Sequence, residues 1–159
     1  MAPDIVVGQA DTPGFVEIAR GLFREYAEAI GTDLEYQGFS EELAALPSPY
    51  IPPRGALLIA RVEAVVAGCV AMRPLTEEVA EMKRLYVRSG FRSSGLGRLL
   101  VEAVVKIASG AGYKELRLDT LASMGAAHAL YLRLGFVEIP PYNTSHLPGT
   151  RFFSLKLAA

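Results

Sequence analysis

The sequence predicts an α/β (α+β) fold in which helices flank a mixed sheet, and three observations carry that expectation. Apolar residues recur at Leu96, Leu99, Leu100, Ala103, Val104, Ile107 and Ala108, the period of an amphipathic helix. Runs rich in β-formers, such as "ALLIARV", "VVAGCVAM" and "KELRLDTL", precede, separate and follow helical patterns without a strict strand-helix repeat, which argues for a mixed sheet. The 159 residues are 51% hydrophobic, enough apolar surface for one domain over residues 1–159 with a substantial core.

Taken in order, "IVVGQA" is a first strand. In "TPGFVEIARGLFREYAEAIG" one face carries Phe15, Ile18, Ala19, Leu22, Phe23 and Tyr26, with Thr12 placed to cap the helix and Gly31 to end it. "SEELAAL" predicts a shorter helix capped by Ser40, and the four prolines of "PSPYIPPRG" exclude regular structure after it. "ALLIARVEAVVAGCVAMRPL" reads as a hairpin turning at Glu63 and Ala64. "EEVAEMKRLYV" follows as a strand whose end, from Leu85 to Val87, is strongly β-prone. The long helix opens at Gly95 and stops at "GAGY". "KELRLDTL" is then a strand, "MGAAHALYLRLG" a helix with Ala127, Leu130, Tyr131 and Leu134 on one side, and "FVEI" and "TRFFSLKL" flank a proline-rich loop.

Composition excludes several classes of partner. Lys and Arg number 16 against 17 Asp and Glu, so no global field favours nucleic acid or an anionic membrane. No stretch reaches the roughly 18 apolar residues of a membrane span, and "MAPDIVVGQA" lacks a basic leader. The single Cys69 sits in an apolar run with no charged neighbour and reads as a small buried hydrophobe. One cysteine allows no intramolecular disulfide, which fits a reducing compartment. These features predict a soluble, cytoplasmic protein. No His, Cys or Asp set has zinc spacing, and no metal is expected.

The stretch "RSSGLGRLL" sets two glycines in a first helical turn, where each costs about 1 kcal/mol relative to Ala. The first N–H groups of a helix lack intrahelical partners and favour an anion, and absent side chains let a phosphate approach the backbone. Arg92 or Arg98 can add charge. A P-loop would need Lys-Ser or Lys-Thr after the second glycine, and here the chain reads "GLGRLL". A dinucleotide fold would need G-x-G-x-x-G in an opening strand-helix-strand unit; Gly90 lies too far before Gly95 and the site is mid-chain.

The chain resembles the GNAT superfamily of acyl-CoA-dependent N-acyltransferases, whose signature is a strand, then [QR]-x-x-G-x-[GA], then a helix; residues Arg92 to Gly97 match it. "EMKRLYV" looks like that family's fourth strand, "KELRLDT" like its fifth, and "AAHALYLRLGF" like its A-x-x-L-Y-x-x-x-G-F element. The resemblance covers about residues 79 to 137 in detail. It implies a mostly antiparallel twisted sheet with splayed central strands and acetyl-CoA as cosubstrate. The pyrophosphate would lie on Arg92, Ser93, Ser94, Gly95, Leu96, Gly97 and Arg98, and the pantetheine along Leu85, Tyr86 and Val87. The family often has an asparagine seven residues before its tyrosine; Met124 stands there, so that polar contact is lost or Ser123 takes it over.

Acyl transfer to an amine requires a neutral amine, stabilisation of an oxyanion and protonation of the departing thiolate. By resemblance, Tyr131 is the acid, while Glu81, 14 positions before Gly95, is proposed as the base. Simple alternation would place Glu81, Lys83, Leu85 and Val87 on one strand face. For the acceptor, Tyr36, Tyr50 and Arg54 in the early loops and Tyr142, Asn143 and His146 in the late loop are candidates; His128 reads as an ordinary helix residue. The expected activity is N-acetylation of a primary amine of a small molecule or amino acid. The alternatives are acetylation of protein N-termini or lysines, or a non-catalytic acyl-CoA sensor. Exposed edge strands toward the C-terminus make a homodimer possible.

Overall fold

The computed structural model describes residues 3–92 and 94–158. Strand β1 (Ile5–Gln9) leads into helix α1 (Pro13–Ile30), which starts where Thr12 Oγ1 accepts from the Phe15 N–H at 3.2 Å and ends at Gly31 with φ 65°. A 3₁₀ turn over Leu34–Gln37 precedes α2 (Phe39–Ala45). Ser40 does not cap α2. Gly38, at φ 72°, ends the 3₁₀ turn and starts the helix together, which puts Ser40 inside the first turn with its backbone N–H on Glu35. Strands β2 (Ala56–Val62) and β3 (Val65–Pro74) form the expected hairpin, with Glu63 and Ala64 both at positive φ in its two-residue turn. Then come β4 (Val79–Val87), α3 (Leu96–Gly110), β5 (Glu115–Thr120), α4 (Gly125–Arg133), β6 (Val137–Ile139) and β7 (Arg151–Lys156).

All seven strands join one sheet in the order β1-β2-β3-β4-β5-β7-β6, antiparallel throughout except for β4 beside β5. Two apolar layers hold it. On one face Leu96, Leu100, Val101 and Val104 of α3 and Tyr131 of α4 pack against Met72, Met82, Leu116 and Leu118. On the other, Leu22 and Phe23 of α1, Phe39 of α2 and Tyr50 pack against Leu57, Ile59, Cys69 and Ala71. Among the described residues no helix is long and apolar enough to cross a membrane.

One irregularity decides which side chains reach which face. Cys69 pairs with Tyr86 and Ala71 with Lys83, so Arg84 and Leu85 together oppose Val70: β4 carries one extra residue, and Arg84 takes φ 62°. Before this bulge Ala80 and Met82 face α3, and Glu81 and Lys83 face the α1 side. After it Leu85 and Val87 face α3, and Tyr86 faces α1. The expectation that Glu81, Lys83, Leu85 and Val87 share a face is thereby corrected, because an inserted residue shifts the two-residue period by one.

The bulge needs room on β3. A Cβ on Gly68 would lie 2.4 Å from the Tyr86 carbonyl oxygen, with the Val87 Cα at 3.3 Å. Gly68→Ala is expected to destabilise the fold by about 1–3 kcal/mol through overpacking against backbone. Urea unfolding measures this, and a change within experimental error would remove the close approach as a constraint.

Candidate active site

Parallel strands β4 and β5 pair only at Val79–Glu115, Ala80–Leu116 and Glu81–Arg117. Past the last of these they diverge, and the edge of β4 that faces β5 loses its ladder. The opening is a narrow cleft: about 30 Å³ of it admits the centre of a water molecule, within about 500 Å³ of space open to solvent. Met82, Lys83, Arg84 and Leu85 of β4 line one side, and Leu118, Asp119 and Thr120 of β5 the other. A larger groove of about 530 Å³ lies between the start of α1 and the 46–52 loop. It sits beside edge strand β1, three strands from β4 and away from the opening between β4 and β5.

On the α3 side the opening meets the start of α3. Gly95 has φ 81° and open space where a Cβ would be, and among the described residues no side chain caps the turn it begins. At Gly97 a Cβ would touch Leu130 at an ordinary 3.6 Å, so that glycine is not forced by the protein's own packing. Arg92 donates from Nε to the Val87 carbonyl at 3.0 Å and thereby ties this loop to the end of β4. Ser94 Oγ bonds the Phe91 carbonyl. Arg98 is exposed and reaches toward Glu102, and Ser93 lies outside the described residues. Tyr131 is buried at the cleft, where desolvation pushes its phenol pKa well up, with lesser contributions from Tyr26 and Asp119. Thr120, 4% exposed, also lines the cleft, and its Oγ1 has no hydrogen-bond partner among the described residues. Ser123 is exposed outside the lining, which Met124 joins instead.

On the α1 side the cleft is polar. Glu81 is 3% exposed and both its oxygens are engaged, Oε1 by Arg73 Nε at 2.8 Å and Oε2 by the Tyr142 hydroxyl at 2.6 Å. Tyr142 packs edge-on against Phe152, and burial together with Glu81 raises its pKa. Tyr36 lines the cleft from the 3₁₀ turn, its hydroxyl accepting from Gln37 Nε2 at 3.0 Å. Arg84, turned outward by the bulge, is held by Glu42 at 2.6 and 3.0 Å and by Gln37 Oε1 at 2.9 Å. Lys83 and Asp119 complete the floor. Burial, then Arg84, lowers the Lys83 pKa, while burial, then Glu81, raises that of Asp119.

Several candidates are elsewhere. Arg54 lies where β4 begins, at the closed end of the sheet, with its guanidinium 3.9 Å over the Tyr113 ring and bonded to the carbonyls of Ala111 and Glu77. Its charge is absorbed by backbone acceptors and an aromatic face, so it is a structural clamp rather than an acceptor contact. Tyr50 is 2% exposed, donates to Glu42 Oε2 at 2.8 Å and packs on Phe23. His128 is buried between the Leu121 carbonyl, Arg151 and Phe153, the ordinary helix residue expected. Cys69 is buried with its thiol pKa raised by desolvation. Lys83, Asp119 and Thr120 were not singled out from sequence. The signal for Lys83 and Asp119 is the polar member of the alternation in "EMKRLYV" and "KELRLDT", which the strand period alone does not distinguish from a solvated face, while Thr120 continues the apolar face of Leu116 and Leu118.

The family model described as the acetyltransferase (GNAT) family matches residues 17–136, three quarters of the chain. The chain belongs to the GNAT acetyltransferase family. An uncharacterised N-acetyltransferase of Schizosaccharomyces pombe is 35% identical over 157 residues, covering 98% of this chain and 96% of the relative. Human N-acetylaspartate synthetase is 32% identical over 134 residues, 82% of this chain and 41% of that protein. Among solved structures, a GNAT acetyltransferase from Staphylococcus aureus aligns with a TM-score of 0.80 at 19% identity, over 98% and 100% of the two chains. An acetyltransferase from Salmonella typhimurium, solved with its cofactor acetyl-CoA, aligns at 0.69 and 18% identity, over 97% and 94%. These agree on the GNAT fold, and the enzyme is an N-acetyltransferase of this family.

The Arg84–Glu42 pair that walls the cleft predicts a pH dependence. Burial would raise the Glu42 pKa, but hydrogen bonds and charge from Arg84 outweigh it and hold the carboxyl below its ordinary 4.5. A carboxylate with a depressed folded-state pKa stabilises above its ordinary value, and that contribution is lost as pH falls through the folded value. Glu42→Gln is expected to cost about 3 kcal/mol at neutral pH by leaving the Arg84 charge buried and unmatched. Below about pH 4 the gap to wild type should narrow. Denaturant midpoints across pH check both, and a gap that stays constant into acid would contradict the pairing.

Proposed function

We propose that this GNAT enzyme uses acetyl-CoA and transfers the acetyl group directly to the primary amine of a small molecule or amino acid. The observation that carries this reading is the parting of β4 from β5: it joins the uncapped start of α3 on one face of the sheet to a polar cleft on the other, with Tyr131 between them. The chain's features suit the cosubstrate. Gly95 leaves open space over the helix start, and Thr120 presents at the cleft a buried hydroxyl with no partner among the described residues.

In this reading the backbone from Arg92 to Arg98, including Ser93, Leu96 and Gly97, binds the pyrophosphate at the positive end of α3. The β4 backbone at Leu85, Tyr86 and Val87, freed from β5, orients the pantetheine and donates N–H groups toward the thioester oxygen. Acetyl-CoA supplies the activated acyl group. Tyr131, kept protonated by burial, delivers a proton to the departing sulfur. Glu81 is spent on Arg73 and Tyr142, and so anchors the late loop beside the acceptor. Tyr36 and Tyr142 form the walls of the acceptor site, and the narrowness of the cleft favours a small acceptor over a folded protein. That a relative is named N-acetylaspartate synthetase adds support for an amino-acid acceptor. The short edge strand β6, with Val137 60% exposed, gives a second copy of the chain an edge to pair with in a cytoplasmic homodimer.

Calorimetry with acetyl-CoA, followed by thiol release across an amine panel, tests the assignment. Tight binding with acceptor-dependent release is expected, whereas binding without release would make the chain a sensor. Tyr131→Phe is expected to lower kcat roughly hundredfold with little effect on acetyl-CoA affinity. An unchanged chemical rate would reject the proton-donor role.

A further inference from the structure

We infer that Lys83 and Asp119 form a split charge pair that selects a zwitterionic acceptor, an amine that also carries a carboxylate, and that Asp119 takes the proton from its ammonium. The inference rests on the acetyl-transfer reading and names the acceptor class and a further catalytic group of that site.

The argument begins with register. Glu81 and Arg117 are the last paired residues of β4 and β5. Lys83 and Asp119 each lie two residues further, on the same face of their strands, so they would be the next pair on that face had the sheet stayed closed. Both line the cleft and each feels the other's charge, yet no ion pair closes between them. Among the described residues neither enters any salt bridge, in a chain where Arg73, Arg84, Arg88 and Arg117 all do.

Partly buried charges without counter-ions are costly, and the pair is kept apart by the same divergence that makes the cleft. Neighbouring charges relieve it only in part, since burial still dominates both groups. Arg84 is committed to Glu42 and Gln37, and Glu81 to Arg73 and Tyr142, while Asn143 is the side chain that donates toward Asp119. A bound molecule with its own ammonium and carboxylate matches both charges at once: carboxylate on the Lys83 ammonium, ammonium on the Asp119 carboxylate. A plain amine would satisfy Asp119 and leave Lys83 unmatched, and a plain acid the reverse. Unpaired buried polar groups are the strong source of discrimination in such sites.

The protons then balance. The acceptor ammonium gives one proton to Asp119, which passes it to solvent, and becomes a free amine. Its nitrogen forms the bond to the acyl carbon as the carbon–sulfur bond breaks. Tyr131 gives its proton to sulfur, and the second proton lost from nitrogen restores the phenol. The products are an N-acetyl amino acid, the free thiol and one proton released. Burial and the adjacent Glu81 carboxylate raise the Asp119 pKa and so make it a better proton acceptor than an ordinary aspartate.

The test compares alanine with ethylamine, which differ by the carboxylate, as acceptors for the full chain with acetyl-CoA. Wild type should prefer alanine in kcat/KM by roughly tenfold or more. Lys83→Met should cut that ratio by roughly tenfold, Lys83→Arg should retain most of it, and Asp119→Asn should lower kcat for both acceptors about hundredfold. Thermal melting and acetyl-CoA calorimetry verify that each variant folds and loads; should Lys83→Met not fold, Lys83→Gln takes its place. A wild type that prefers ethylamine, a ratio unmoved by loss of the lysine charge, or an Asp119→Asn enzyme with normal kcat would overturn the inference. Failure of wild type to bind acetyl-CoA would instead sink the underlying reading, so the two failures are separable.

Discussion

One extra residue in β4 sets the terms for the rest of the molecule. The bulge at Arg84 shifts the side-chain alternation, so the strand presents Glu81 and Lys83 to one face of the sheet and Leu85 and Val87 to the other within a single run. A regular strand could not serve both faces in this way. The apolar end packs toward α3 and its glycine-opened first turn, and the charged middle looks into the cleft between β4 and β5. Gly68 makes the irregularity possible by leaving space for the Tyr86 carbonyl, and Glu42 anchors the displaced Arg84.

The second condition is the short parallel pairing between β4 and β5. A parallel pair needs a crossover, and α3 supplies it here; its first turn therefore necessarily lies just beyond the end of β4, where Arg92 fastens the connecting loop back to Val87. Three rungs join the two strands; beyond them the facing edges are unpaired, while β4 stays bonded to β3 and β5 to β7. Charge is distributed accordingly. The arginines around the opening are engaged by carboxylates or carbonyls, which leaves the field inside it to Lys83 and Asp119. Positioning and charge in a partly desolvated gap, rather than an unusually reactive side chain, are what such an enzyme has to work with.

Much of this was legible in the sequence. The hairpin at Glu63 and Ala64, the Thr12 and Gly31 ends of α1, the period of α3 and the glycine-opened turn follow from local rules, and local rules are what sequence shows directly. The bulge was not, because nothing in "MKRLYV" marks which residue will be inserted; it is decided by a glycine on the neighbouring strand. Arg54 misled for a related reason. An arginine beside a proline-rich loop suits a substrate pocket or a clamp equally well, and only the fold brings the Ala111 and Glu77 carbonyls to it. Asp119 and Lys83 were hidden by the opposite effect: each looks like the solvent-facing member of an alternating strand until the sheet opens between them.

The Arg54 clamp also bears on how the opening can move. Its guanidinium bridges the turn that ends α3 and the segment leading into β4, while the Tyr113 hydroxyl donates back to its carbonyl at 2.6 Å. The two central strands are thus riveted to each other at one end and part at the other, where each is held by its outer neighbour alone, like the jaws of a pair of tweezers. Any breathing between them pivots near Glu81 and Arg117, the last residues they pair, so a small rotation there becomes its largest displacement at the far ends of the cleft.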